Sequence, residues 1–154
     1  MTTKADFSEE EWTRVRRAPL VAGLAISLAD PGGPIEAAKE TMATLKSATN
    51  PPSREQLLTE VALDVQTMAQ QKKHPLKGYK PASGSAILDE LRATKALVAG
   101  KATPEEAQAY GAWLTASAQA AAEAAKEGGF MGFKAERVSE GEQKMLDRLS
   151  EALS

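Results

Sequence analysis

Cysteine is absent from this chain and histidine occurs once, at position 74. Without a thiol there is no disulfide framework, no thiolate metal site and no cysteine nucleophile. A lone imidazole cannot supply the paired Glu-x-x-His ligands of a di-iron bundle, nor does His74, set between Lys73 and Pro75 at a helix exit, read as the base of a triad. It reads as a solvated loop residue. Neither charge dominates, since 19 basic against 21 acidic side chains leave a net −2, too small a field to draw nucleic acid. No strand pattern precedes a glycine-rich phosphate loop, so nucleotide sites of that type are not expected. These shortages point away from an enzyme, a metal and a cofactor.

Long apolar runs are missing too. The most apolar stretch, Ala18 to Ala29, is uncharged for 12 residues, whereas a membrane span needs roughly 20. Acids occupy the place of a signal peptide's apolar core, so no targeting segment is read, and the expected compartment is the cytoplasm with no membrane partner. Val21, Leu24, Ile26 and Leu28 are spread around every side of this stretch, and a helix apolar all round must be buried. The predicted fold is therefore all-α, a single bundle domain over 1–154 with five to six helices around a buried N-terminal helix.

Helix punctuation supports this layout. Ser8 with Glu11, Ser53 with Gln56, Thr103 with Glu106, and Ser139 with Glu142 each place a hydroxyl at an N-cap and a carboxylate or amide three residues on. Prolines and glycines at 50–52, 74–75, 100 and 128–129 mark stops. Helices are predicted near 8–29, 34–48, 53–72, 85–99, 104–127 and 139–152. Pro19 lies inside the first, where a kink or break is expected. The second has an apolar stripe of Ile35, Ala38, Met42 and Leu45, and the third one of Leu58, Val61, Val65 and Met68. Ile87, Leu91 and Val98, then Met145, Leu149 and Leu153, give the fourth and sixth a core side. The fifth is alanine-rich, a thin face suited to close packing on the first.

Candidate binding residues are few. Tyr110 and Trp113, with Phe130 and Phe133 from the loop that follows the fifth helix, could line a ligand pocket between the first and fifth helices. Core packing is the alternative for the first pair. Lys72, Lys73, His74, Lys77 and Lys80 form the basic patch KKHPLKGYK, which could hold an anion or simply solubilise a loop. Glu60 and Asp64 are four apart on the third helix and read as a solvated flank.

The ending Glu127-Gly128-Gly129-Phe130-Met131-Gly132-Phe133, followed by Val138-Ser139 and Glu142, resembles a family of small all-helical bacterial proteins with EGGF-x-GF and VS-x-x-E endings. Phe7 to Trp12, Ala18 to Leu20, Gly23 to Ala25 and Ala29 to Pro31 resemble the same family's opening. The resemblance implies a fold-level grouping and transfers no site. The expected function is contact with another protein or self-association in a homodimer; the alternative is binding of a small molecule or anion.

Overall fold

The first helix stays unbroken through its proline. In the computed structural model, which describes residues 2–29, 34–127 and 139–154, α1 runs Glu9–Ala29 with Pro19 inside it. Proline lacks the N–H that would bond the carbonyl four residues earlier, here that of Val15. The Tyr110 hydroxyl donates to that carbonyl instead, at 2.8 Å and fully buried. A side chain from a distant helix thus gives that carbonyl a donor, and of the expected kink or break, the break does not occur.

Five further helices follow among the described residues: α2 Pro34–Ala48, α3 Gln56–Gln70, α4 Gly84–Lys101, α5 Pro104–Glu127 and α6 Glu140–Leu153. A 3₁₀ turn, Lys4–Asp6, leads into α1. Helices α1 and α5 form the centre, with α2 packed as extensively on α5 as α1 is. The remaining helices pack around this pair, and one hydrophobic cluster joins them. Val21, Ala22, Ala25 and Ile26 are fully buried, but Leu24 is half-buried and Leu28 is 47% exposed. Burial of α1 is therefore not all round: the side carrying Leu24 and Leu28 stays accessible.

The capping pattern holds at three of its four expected places. Ser8 and Glu11, Thr103 and Glu106, and Ser139 and Glu142 each make reciprocal bonds. The box expected at Ser53 does not form; its hydroxyl is buried without a partner, and α3 begins at Gln56. Glu106 of α5 takes over from a distance. Its buried carboxylate accepts from the Leu57 amide at 3.4 Å, from the Thr2 hydroxyl and amide at 2.8 and 3.3 Å, and from the Thr103 amide at 3.3 Å. One side chain thus ties the amino-terminal residues to the starts of α3 and α5.

Burial pushes the Glu106 carboxyl up, but these hydrogen bonds, led by that of Thr2, outweigh it and hold the group below its ordinary 4.5. A depressed native value means that the contribution to stability is fully present above the unfolded value and disappears as pH falls through the native one. Urea titrations from about pH 3 to 7 are expected to show a flatter acid limb in Glu106→Gln than in the parent. Parallel profiles would show that the carboxylate charge holds nothing together.

Candidate functional site

Helix α2 faces the opposite way from its hydrophobic pattern. The stripe expected in the core has Ala38 exposed, Met42 71% exposed and Leu45 only half-buried, while the side chain of Ile35 lies outside the described residues. The buried stripe is Glu40, Thr44 and Ala48. Its neighbours explain the rotation. Thr44 sits against Gly23 of α1, the Ser27 hydroxyl pairs with the Glu40 carboxylate, and Ser47 meets Ser117 of α5 at 2.9 Å. Small and hydroxylic side chains let three backbones come close, and hydrogen bonds satisfy the polar groups that this buries. Satisfied polar contacts on that side leave Ala38 and Met42 outward, with Leu45 half-buried against the core.

Beside this stripe lies α3, which barely touches α2; both helices pack instead on α1 and α5. Between them runs an open groove of about 550 Å³, lined by Met42, Leu45, Lys46 and Thr49 on one side and by Gln66, Ala69 and Gln70 on the other. Leu63, 56% exposed, stands one turn before Gln66 on the same side of α3. Lys39, Met42 and Lys46 follow one another at helical spacing along the other wall. Met42, Leu45 and Ala69 thus supply the groove's apolar lining, and the charged residue in that lining, Lys46, is positive.

On the far side of α3, the pair read as a solvated flank is engaged. Asp64 accepts from Trp12 Nε1 at 2.8 Å and Arg16 at 3.2 Å, with Lys4 at 3.6 Å, and Glu60 accepts the Lys4 amide at 2.5 Å. Burial raises the Asp64 carboxyl, but these donors prevail and hold it below its ordinary value. Its acids are therefore committed to the amino-terminal segment. The side of α3 facing the groove presents threonine, glutamine and Leu63, without charge.

The expected anion patch forms a folded loop. Lys72 takes the left-handed conformation, φ 58°, in a Schellman ending of α3, where the Lys73 amide reaches Met68 O at 2.8 Å and the Lys72 amide Ala69 O at 3.0 Å. Gly78, φ 82°, turns the chain again. Pro75 is buried, Leu76 and Tyr79 are half-buried, and Lys72, Lys73, His74, Lys77 and Lys80 are exposed. Arg17 stacks on the Tyr79 ring at 4.5 Å and pairs with Glu90 of α4. Burial, reinforced by Glu90, pushes the Tyr79 hydroxyl up. The loop is fastened through its apolar residues, and its lysines are exposed.

Tyr110 and Trp113 are both fully buried, edge to face at 6.5 Å, and line none of the described clefts. Their polar atoms are engaged by the carbonyls of Val15 and Ser47, each at 2.8 Å. This is core packing. Phe130 and Phe133, proposed to complete a pocket with them, lie outside the described residues. No helix among the described residues is long and apolar enough to cross a membrane. No family model, curated protein or solved structure matches this chain.

Proposed function

We propose that the protein acts as a binding module that receives an amphipathic helix of another protein in the groove between α2 and α3. The observation carrying this reading is the outward apolar stripe of α2, with Met42 71% exposed beside a helix that α2 scarcely contacts. A groove between two helices can accept a third that inserts side chains at i, i+3 or i+4, and i+7. Flexible methionine at such a surface adapts to its partner. Lys39 and Lys46 bracket the stripe, so acidic flanks on the incoming helix complete the match. A second copy of this chain suits the groove less well: in a two-fold contact each basic stripe would meet a copy of itself.

Selection of a displayed library of helical peptides on the purified protein tests this. Enriched sequences are expected to combine the apolar spacing with Asp or Glu flanks. Met42→Glu is expected to weaken them about 30-fold, the scale of one interfacial hot spot, without changing the melting temperature. Enrichment of nothing, or of peptides indifferent to Met42→Glu, would overturn the proposal, and a dimer dissociated by Met42→Glu would assign the groove to self-association.

A further inference from the structure

A second concavity lies across α2 from the groove and shares no lining residue with it. It is a cleft of about 170 Å³ between α1 and α2, bordered by the loop after α3, which contributes His74 and Leu76. Leu20 and Leu24 of α1, with Leu76, supply its apolar surface. The backbone at Gly23 forms part of its wall, where the absence of a side chain brings Thr44 close. An apolar cavity of about 150 Å³ is enough to hold a benzene ring.

The polar atoms narrow the choice of ligand. Thr41 donates its hydroxyl proton to Ala37 O at 2.8 Å, Thr44 to Glu40 O at 2.7 Å, and Ser27 to the Glu40 carboxylate. All three hydroxyls have committed their protons and can only accept, while His74, whose Nδ1 accepts the Leu76 amide at 3.1 Å, donates at the rim through Nε2 when neutral. To bond the three hydroxyls an occupant has to bring its own donor. An anion is disfavoured, because it would meet these acceptor oxygens with the Glu40 carboxylate behind Ser27. Desolvating an unpaired charge in an apolar cleft adds a further cost.

We propose that this cleft is a binding site for a small neutral molecule, about one aromatic ring in size, that carries a single hydrogen-bond donor. Phenol is a suitable probe, with toluene as its donor-free counterpart and benzoate and benzylammonium as charged ones. Titration of the methyl-labelled full chain with phenol is expected to give saturable shifts at Leu20, Leu24 and Leu76. The two charged probes are expected to bind at least tenfold more weakly. Thr41 is exposed at the rim, so Thr41→Phe should fold normally and block both neutral probes. Thr41→Val removes one acceptor with little change of shape and is expected to weaken phenol about fivefold, one ordinary hydrogen bond, while leaving toluene unchanged. Shifts centred on other methyls, equal affinity for the charged probes, an unaltered phenol-to-toluene ratio in Thr41→Val, or no saturable shift up to the solubility limit would each overturn the assignment. Should Thr41→Phe fail to fold, the location of the shifts in the parent protein decides the site.

Discussion

Trp113→Ala is expected to lower the free energy of unfolding by about 3–5 kcal/mol, the range for truncating a buried large aromatic. The indole is fully buried between α1, α2 and α5 in a cluster whose other members are mostly alanine, valine and leucine. Small neighbours on helices that already pack closely have little reach with which to fill the space. The change also removes the donor to Ser47 O in the last turn of α2, and with it one of the ties that set α2 on α5. Trp113→Phe separates the two contributions, since it keeps most of the volume and loses the bond; it is expected to cost about 1–2 kcal/mol. Urea denaturation with a common slope measures both. A cost below about 1 kcal/mol for Trp113→Ala would show that the space around the indole is loosely filled, as a ligand pocket between α1 and α5 would require.

How much of this was legible in the sequence depended on whether the signal was local. Helix count and limits follow from caps, breakers and apolar spacing within a few residues, and the three boxes that form do so from neighbouring side chains. The fourth, at Ser53, does not form, and the Leu57 amide at that helix start is instead bonded by Glu106, 49 residues away in sequence. No local rule reveals a cap donated by another helix. Pro19 is similar: its local chemistry demands a lost hydrogen bond and an expected break, and the replacement comes from Tyr110. Tyrosine and tryptophan on α5 were read both as core and as pocket residues, and their hydrogen bonds to backbone carbonyls place them in the core.

The candidate groove was the least legible part, for a related reason. Hydrophobic periodicity predicts which side of a helix is buried when burial is driven by apolar area alone. On α2 a competing interest wins, because Gly23, Ser27 and Ser117 offer close approach and hydrogen bonds to Glu40, Thr44 and Ser47. The spacing of Ile35, Ala38, Met42 and Leu45 marks an amphipathic stripe, but Ala38 and Met42 lie outside the core, and Leu45 is half-buried against it. An apolar face that the core leaves outside is a stronger pointer to a partner than scattered exposed residues would be.

Of these contacts the closest is at Gly23, and Gly23→Ala is expected to destabilise the protein by about 2 kcal/mol or more. A Cβ built at this position would lie 2.2 Å from Thr44 Oγ1, 2.4 Å from Cγ2 and 2.8 Å from Cβ. Rotating the Thr44 side chain relieves the first two contacts but not the third, so the helices themselves must separate. Overpacking of this kind typically costs about 1–3 kcal/mol and occasionally more. Alanine returns about 1 kcal/mol of helix propensity, since Gly23 lies within α1 and is not among the positive-φ glycines. Space, not backbone conformation, therefore requires glycine here. Thr44→Ala removes the two nearest atoms, so the double variant is expected to be less destabilised than the sum of the singles, by about 1 kcal/mol or more in a thermodynamic cycle. Strict additivity would mean that α1 and α2 do not meet at this point, and the outward placement of Met42 would lose its physical cause.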